Sequence, residues 1–580
     1  MTHEDRHIQW VDWTDEAFQR AKLEKKPILL DISAVWCHWC HRLDQDTYSV
    51  PDIAEYIQSH FIPIRVDTDK RPDINRRYNM GGWPTTAFLT PDGRIIKGGT
   101  YLPPDQMRQV LHDIYSVWEK TKDETTLQIP KPETETSSSG PISISIVDEV
   151  LGEIANNFDP IYGGFGSQPK FPSTDAHELA LLKYHYTGNH EILKIVTVTL
   201  HNVAKNGLYD REMGGFFRYS TARDWSIPHY EKMSEDNAKW LSLYLHAYQK
   251  TGDQSYANIA RRTVNYVTTW LSDQQNGCFY GSQDADEKYY KLTRNERIKT
   301  QTPYIDKHIY TNWNALMISA FLEASYVLGD TSIREFGLKS LNRLMSLTYD
   351  RDRGMYHFYD GEPHLPHQLG DQMQTTRTLC YAYEISGDKE FLQQAERLVE
   401  LACSELYDSK HGGFFDTLVD ANAPGFLSKP SKPFEENSIA ARTLIKLYHL
   451  TEKENYRNMA EETLKRFVEV FPEFTFMSAD YAIAIDALLN EPTIIRIVGS
   501  PENPQTKELL AMAHTVYEPR KTIQVLNPDT DYQYINKLGY TLRNQAMAYV
   551  CLGKMCTAPI TEPKQLAPEL TRMISTQFRR

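Results

Sequence analysis

Two cysteines separated by two residues occur early in the chain, in AVWCHWCHRL at residues 34–43. Cysteines at this spacing can cycle between dithiol and disulfide, because one thiolate attacks a disulfide and the other resolves the mixed disulfide. The attacking cysteine should be exposed at a helix N-terminus, where the partial positive charge stabilises the thiolate. Cys37 follows an apolar stretch and opens a predicted helix. Cys37 and Cys40 are therefore predicted to form a redox centre in which His38 and His41 favour the thiolate.

The same motif is also compatible with a metal site or with structural burial. Cys37, Cys40 and His41 could each ligate zinc, although a closed site requires further ligands. Cys551 and Cys556 could supply those ligands only if the C-terminal region docks there. Four residues separate these two cysteines, which is too many for a thioredoxin turn but suits a local disulfide or half a metal site. Structural burial is the preferred interpretation. No metal or other cofactor is predicted, and zinc is the competing interpretation.

Residues 81–86, GGWPTT, support the redox interpretation. They begin a predicted strand, and thioredoxin-like domains place a cis proline at this point, opposite the cysteines. The backbone of the preceding residue can there pair with an extended substrate. Trp83 and Pro84 are therefore part of the predicted site. The sequence alone does not show whether the Trp83–Pro84 bond is cis. Without such a context, most X-Pro bonds in folded proteins are trans.

The elements around these motifs alternate between helix and strand. Strands are predicted at residues 27–33, 61–67, 85–90 and 95–98, and helices at 14–24, around 56, at 73–78 and from 104 onward. This order predicts a thioredoxin-like α/β domain over residues 1–122. Residues 123–141 are polar and rich in Pro, Thr and Ser, and they are predicted to be a linker.

An internal repeat of amphipathic helices occupies residues 142–490. Two helices meet at a short turn such as KTGD or ISGD, and each pair is followed by a glycine-aromatic segment such as YDREMGGFF or YDSKHGGFF. Five helical hairpins can be recognised, and residues 477–489 could supply part of a sixth. Hairpins of this size with long loops predict a closed (α/α)6 toroid. Residues 491–580 return to strand and helix patterns, which predicts a small α/β region at the C-terminus.

The predicted starts of the inner helices and the loops before them carry carboxylates, amides and aromatic rings. A ring of such groups could bind a sugar, and a carboxylate pair could catalyse glycoside hydrolysis. Ordinary helix capping and loop packing are the alternative for each residue. The candidate cavity residues are His229, Glu231, Asp236, Asn237, Asp284, Trp313, Asn314, Asp371, Glu436, Asn437 and Asp480.

Several blocks of the sequence resemble the spermatogenesis-associated thioredoxin-like family. They include VDWTDEAFQRAKLEKKPILLDISAVWCHWCHRLDQDTYS, GGFGSQPKFP, IPHYEKMSEDNA, TNWNALMISAFLEAS and AYVCLGKMCTAPIT, which together span nearly the whole chain. The resemblance implies a thioredoxin-like domain followed by a six-hairpin toroid similar to those of N-acylglucosamine epimerases and glycosidases. It implies no particular reaction. Relatives typically carry Asp-Asp-Tyr-Ala where this chain has GDQM at residues 370–373, so Asp371 is kept but the role of that tyrosine is not carried over.

Composition limits the possible partners. The formal net charge of −14 argues against nucleic acid and anionic membranes. Seven cysteines in 580 residues is usual for a reducing compartment, and the odd number argues against a disulfide framework. With neither a signal peptide nor a membrane span predicted, we expect a cytoplasmic protein.

Three functional hypotheses follow from these observations. The favoured one is a thiol-disulfide oxidoreductase acting on a protein or small-molecule disulfide. The second is a carbohydrate-active enzyme in the toroid, with the thioredoxin-like domain as a redox sensor. The third is a redox-regulated scaffold without enzymatic activity.

Overall fold

The computed structural model describes residues 8–121 and 139–577, which form two compact units. The first unit consists of the N-terminal residues together with the short segments Asp284–Asp286 and Asp416–Ser431. The second contains the described parts of Ser137–Gln283, Glu287–Phe415 and Lys432–Arg580. Most of the predicted linker, residues 123–138, lies outside the described residues.

The first unit is a four-stranded sheet covered by helices on both faces. Its elements are α1 (Asp15–Glu24), β1 (Ile28–Ser33), α2 (His38–Leu43), α3 (Pro51–His60), β2 (Ile62–Asp67), α4 (Pro72–Tyr78), β3 (Thr85–Leu89), β4 (Ile95–Gly99) and α5 (Pro104–Thr121). The strand order is β2-β1-β3-β4, with β1 parallel to β2 and antiparallel to β3. This is the thioredoxin-like order predicted from the sequence.

Strand β1 explains how the sheet is buried on both sides. Ile28, Leu30 and Ile32 join one hydrophobic cluster, whereas Leu29 joins the cluster on the opposite face. Successive side chains of a strand point to opposite faces, so a continuous apolar run is what a central strand between two helical layers requires. Asp31 is the one charged residue in this run and is 1% exposed.

The second unit contains twelve long helices in six hairpins. In chain order they are α6 (Ile144–Asn157), α7 (Thr174–Thr187), α8 (His190–Lys205), α9 (Ser234–Thr251), α10 (Gln254–Trp270), then, after the short α11 (Glu287–Tyr290) and α12 (Arg294–Arg297), α13 (Thr311–Val327), α14 (Thr331–Thr348), α15 (Leu369–Ser386), α16 (Lys389–Leu406), α17 (Phe434–Thr451), α18 (Glu454–Lys465) and α19 (Ala479–Leu489).

These helices form a closed toroid. Helices α7, α9, α13, α15, α17 and α19 each pack against the next, and α19 packs back against α7. Each of these inner helices also packs against one outer helix, and α19 pairs with α6, the first helix of the unit. The predicted (α/α)6 fold is therefore confirmed, and its sixth hairpin joins the two ends of the repeat region.

The short turns of the hairpins have a local physical cause. Gly188, Gly252 and Gly387 end inner helices in the left-handed conformation, which glycine adopts without a steric penalty. The residue that follows each glycine caps the outer helix, as Asp253 does by accepting a hydrogen bond from the Ser255 amide.

Short strands occupy the long loops at the other end of the hairpins. They are β5 (Tyr219–Ser220), β6 (Pro228–His229), β7 (Lys232–Met233), β8 (Ser282–Gln283), β9 (Ile305–Asp306), β10 (Ile309–Tyr310), β11 (Tyr349–Asp350), β12 (Gly354–Tyr359) and β13 (Pro363–Pro366).

The C-terminal part of the second unit is the predicted small α/β region. It contains β14 (Thr493–Val498), α20 (Pro504–Thr515), β15 (Lys521–Leu526), α21 (Tyr532–Lys537), β16 (Met547–Leu552), β17 (Met555–Cys556) and α22 (Pro563–Gln577). Strands β15-β14-β16-β17 form one sheet. Cys551 and Cys556 face each other across β16 and β17 and form a disulfide, the alternative that the spacing allowed. The preferred interpretation, structural burial, was wrong for Cys556, which is exposed. No helix in the described ranges is both long and apolar enough to cross a bilayer.

Candidate redox site and toroid cavity

Cys37 and Cys40 lie where strand β1 leads into helix α2. Cys37 is the N-cap of α2, and its sulfur accepts a hydrogen bond from the Cys40 amide at 3.2 Å. The two residues form a disulfide with a Cα–Cα distance of 5.2 Å. Both are only 4% exposed, whereas an exposed Cys37 was expected. The position at a helix N-terminus is nevertheless the one that stabilises a thiolate once the disulfide is reduced.

Aromatic residues surround this turn. The Trp36 indole donates to Asp69 at 2.6 Å and meets the Trp83 ring edge-on, with centroids 5.8 Å apart. The Trp83–Pro84 peptide bond is cis, at the position that the thioredoxin-like pattern indicated. Trp39, which is 47% exposed, packs edge-on against Tyr101.

The two histidines of the motif have different surroundings. His41 Nε2 lies 3.0 Å from the Val35 carbonyl and 3.5 Å from Asp284 Oδ2. The hydrogen bond with Asp284 raises the pKa of His41, although burial opposes this change. His38 packs edge-on against Trp39. Asp284, which the sequence suggested for the toroid cavity, thus lies beside the redox motif in the first unit.

Asp31 was missed by the sequence interpretation. Its carboxylate lies in the sheet interior and accepts a hydrogen bond from Arg65 Nε at 2.6 Å, across the paired strands β1 and β2. Burial raises the pKa of Asp31, and Arg65 partly offsets that effect. The available signal was the single acidic residue in the apolar run ILLDIS, because a buried carboxylate is rarely kept without a role.

Metal binding was the competing interpretation of the cysteine motif. Across residues 8–121 and 139–577, no group of three or more His, Cys, Asp or Glu side chains is arranged to hold a metal ion. In this structure the sulfurs of Cys37 and Cys40 are bonded to each other.

The inner helices of the toroid enclose a cavity of about 550 Å³. Cavities of this size accommodate small-molecule ligands. Its wall combines apolar surface with many charged side chains. The charged lining residues include Asp175, Glu178, Glu235, Lys239, His246, Glu323, Arg377, Glu384, Glu435, Glu436, Arg442, Lys446 and Asp480.

The C-terminal region closes the cavity at the end where the short turns lie. Residues 514 and 516–523 line that end. Glu518 accepts hydrogen bonds from His185 and Tyr186, and Arg520 forms a two-pronged ion pair with Asp486 at 2.8 Å. Burial alone would raise the pKa of Glu518, but the hydrogen bonds from His185 and Tyr186 lower it.

Only two of the sequence-derived candidates, Glu436 and Asp480, line this cavity. Asp480 pairs with Arg442, and its second carboxylate oxygen is buried with no hydrogen-bond partner among the described residues. Asp371 instead lies 2.8 Å from His357 Nδ1 and accepts the Asn312 amide.

Three other candidates stabilise loops. The side-chain amides of Asn237, Asn314 and Asn437 each bond both backbone groups of a phenylalanine in the preceding glycine-aromatic segment. Gln372 does the same for Met355. We call Asn237, Asn314, Gln372 and Asn437 the clamp residues. An asparagine near a helix start is equally compatible with a cavity or a capping role, so the sequence could not identify these long-range partners.

His229, Glu231 and Asp236 form a separate polar group beside the toroid loops. The Glu231 side chain is buried, with one oxygen 3.7 Å from His229 Nδ1. Its other oxygen has no hydrogen-bond partner among the described residues. Burial, aided by the neighbouring carboxylates, raises the pKa of Asp236 to about 7. Trp313 packs against Tyr310.

The sequence interpretation also missed residues deeper in the cavity. His246 Nδ1 lies 2.8 Å from Glu178, and its Nε2 lies 2.6 Å from Glu323. These two carboxylates raise the pKa of His246 against the effect of burial. Arg377 also faces the cavity. Charged residues at helical spacing normally indicate a solvent-exposed face, and here that face is the inside of the toroid.

Comparison with known proteins agrees with this architecture. Residues 1–133 match the family model of a thioredoxin-like domain described as a protein of unknown function, DUF255. Human spermatogenesis-associated protein 20 is 25% identical, covering 98% of this chain and 90% of the human protein. The thiol:disulfide interchange protein DsbD of Cronobacter sakazakii is 30% identical over 95 residues, 16% of each chain.

Among solved structures, a sugar epimerase from a ruminal bacterium superposes with a TM-score of 0.46 and 17% identity, covering 56% of this chain and 86% of that one. Over nearly its whole length the chain is similar to spermatogenesis-associated protein 20, and its N-terminal domain is thioredoxin-like.

Proposed function

We propose that the chain is a thiol-disulfide oxidoreductase that acts through Cys37 and Cys40. The observation that carries this proposal is the cysteine pair at the N-terminus of α2, next to cis-Pro84, in a thioredoxin-like sheet. The location that we propose is the cytoplasm, because seven cysteines in 580 residues is usual for a reducing compartment.

The reaction is a two-electron exchange. In the reduced protein the Cys37 thiolate attacks a substrate disulfide, and one substrate sulfur leaves as a thiolate. The Cys40 thiolate then attacks the Cys37 sulfur and releases the second substrate sulfur. The product is the Cys37–Cys40 disulfide seen in the structure. An external dithiol must reduce this disulfide before the next cycle.

The position of His41 supports Cys37 as the attacking group. His41 lies one helical turn after Cys37, and Asp284 favours its charged form. A positive charge at this distance stabilises the nearby thiolate more than the thiol. The low exposure of both cysteines favours a small or an extended substrate over the rigid surface of a folded protein.

The test is reduction of a mixed disulfide of glutathione by wild type, Cys37→Ser, Cys40→Ser and Cys403→Ser. We expect Cys37→Ser to abolish turnover and Cys40→Ser to accumulate a mixed disulfide on Cys37. Cys403→Ser is the matched control, because this cysteine lies on an outer helix of the toroid, and it should behave as wild type. Unchanged turnover in Cys37→Ser would contradict the proposal. So would stoichiometric zinc that is lost when both cysteines are replaced.

A second candidate activity is carbohydrate binding or conversion in the toroid. The enclosed cavity of about 550 Å³ favours it, because carboxylates, amides and hydroxyl groups line the wall. Asp480 is the acid or base candidate that lies in this cavity. Asp175 lines the same cavity, and the negative charge of Asp480 contributes to the raised pKa of Asp175. Sugars that raise the melting temperature of the wild type but not of Asp480→Asn would support it, and no response to any sugar would count against it.

A further inference from the structure

One cation in the toroid cavity forms no ion pair with any residue that the structure describes. Arg377 lies on the inner helix α15 and lines the cavity. Across the described residues, no side chain or carbonyl group forms a hydrogen bond or an ion pair with its guanidinium group, and no carboxylate oxygen lies within 4.0 Å. Arg377 is therefore a partly exposed charged donor that lines the cavity without a hydrogen-bond partner among the described residues.

The other lysines and arginines of the cavity wall all have acceptors. Lys239 pairs with Glu235 at 2.7 Å, Arg442 with Asp480, Lys446 with Glu384 at 3.0 Å and Arg520 with Asp486 at 2.8 Å, and Lys521 donates to two carbonyl groups. The carboxylates of Asp480, Asp175 and Glu178 favour the charged form of Arg377 from a distance, but none of them forms an ion pair with its guanidinium group.

The environment of Arg377 is unfavourable for a positive charge. The neighbouring Arg442 lowers the pKa of Arg377 to about 10, and burial acts in the same direction. A partly buried charge without an ion-pair partner is less favourable than a paired one, and an anionic ligand would neutralise it. A guanidinium group matches the two oxygens of a carboxylate or phosphate through parallel hydrogen bonds.

We propose that the toroid cavity binds a small molecule that carries a carboxylate or phosphate group, and that Arg377 binds this anion. This inference rests on the second candidate function only in assuming that the cavity holds a ligand. The rest of the ligand is expected to carry hydroxyl groups. Neutral hydrogen-bond donors and acceptors line the same cavity, namely Ser242, Ser319, Asn312 and Gln374. Arg442 is already neutralised by Asp480, so Arg377 supplies the charge for recognition.

The first experiment is calorimetric titration with inorganic phosphate, D-glucuronate, D-glucose 6-phosphate and neutral D-glucose, at matched ionic strength. We expect anions to bind the wild type, and we expect Arg377→Gln to weaken binding about 10- to 100-fold, the factor for losing a hydrogen bond to a charged group. The matched control is Arg397→Gln, whose side chain lies on an outer helix, is 48% exposed and pairs with Glu390. This control should bind as wild type does.

The arms separate the possible outcomes. A preference for glucuronate or for the two phosphates would identify the anionic group. Binding of glucose that is equal in wild type and Arg377→Gln, without tighter anion binding, would keep the cavity as a sugar site but overturn this inference. Failure of all three anions to bind the wild type would also overturn it.

A second measurement does not depend on the choice of ligand. Without added anions, Arg377→Gln should melt at a higher temperature than wild type, because an unpaired charge beside Arg442 is removed. A purely structural arginine would give the opposite sign. A lower melting temperature for Arg377→Gln would therefore overturn the proposal.

Discussion

Replacing Asp210 by asparagine is expected to destabilise the toroid strongly, because this carboxylate neutralises two buried cations. Its Oδ2 lies 2.7 Å from Lys232 Nζ and 2.6 Å from Arg297 Nη1. The three side chains are between 1% and 2% exposed. Burial alone would raise the pKa of Asp210, but Lys232 and Arg297 lower it. The carboxylate is therefore ionised at neutral pH, and asparagine would leave both cations without a counter-charge.

The same arrangement recurs in the toroid with different burial, which provides internal controls. Asp159 pairs with buried Lys170 and with Arg223, which is 47% exposed. Asp408 is itself 16% exposed and pairs with Lys432. Removing one partner of a buried ion pair costs about 3–5 kcal/mol. We expect about 3 kcal/mol for Asp210→Asn, because asparagine still accepts one hydrogen bond. For Asp408→Asn we expect about 1 kcal/mol, because water reaches this pair.

The assay is urea unfolding followed by circular dichroism. A loss of 3 kcal/mol corresponds to a change of about 100-fold in the folding equilibrium. Replacing Lys232 by methionine in the Asp210→Asn background should recover part of the loss, because it removes one uncompensated cation. Equal destabilisation by Asp210→Asn and Asp408→Asn would refute the reasoning, as would a loss below about 1 kcal/mol for Asp210→Asn.

Three further predictions concern other parts of the chain. Asp284→Asn should slow alkylation of the reduced Cys37 thiol at pH 7, because His41 would lose the ion pair that favours its charged form. The expected factor is about 2- to 5-fold, since such half-exposed pairs are weak. An unchanged rate would contradict this role. Asn437→Ala should lower the free energy of unfolding by about 2–4 kcal/mol, since the loop backbone groups that it clamps would be buried without partners; a loss below about 1 kcal/mol would argue against the clamp. The pKa of Glu518 is lowered from 4.5 in the fold, so its contribution is complete above about pH 4.5 and is lost as the pH falls through the lowered value. Protection of residues 514–523 from hydrogen exchange, measured relative to the intrinsic rate at each pH, should therefore fall in acid for wild type, and in Glu518→Gln already at pH 7.

The sequence predicted those features that depend on local pattern. The cysteine spacing, the strand order of the first unit and the helical hairpins all follow from short stretches of chain. Gly188 and Asn189, for example, specify the end of one helix and the start of the next without reference to distant residues. The sixth hairpin was only half visible, because its partner helices α6 and α19 stand at opposite ends of the repeat region.

The features that the sequence did not predict depend on contacts between distant residues. Nothing near Asp284 in the chain indicates that it meets His41. Arg377 follows the same helical spacing as residues that face solvent on an ordinary amphipathic helix, so its position inside a cavity depends on closure of the ring. The burial of Asp31 could be anticipated from the apolar strand, whereas its pairing with Arg65 required the strand register.

The repeat itself separates structural residues from candidate ligand-binding residues. Positions that solve the same packing problem in several hairpins keep one chemistry, as the amides of the four clamp residues do. The residue five positions after each clamp residue lines the cavity. These equivalent residues are Ser242, Ser319, Arg377 and Arg442. Nine residues after each clamp residue, the chain presents His246, Glu323, Tyr381 and Lys446.

The inner helices of the six hairpins border a single shared cavity. The side chains at equivalent inner positions differ in charge and polarity from repeat to repeat. The packing that the repeats share does not explain this difference. An asymmetric lining of this kind fits an asymmetric ligand, which has one charged end and several neutral ones. By the same reasoning, the clamp residues that the sequence suggested as ligand contacts are poor candidates, because their role is already accounted for by the loops that they hold.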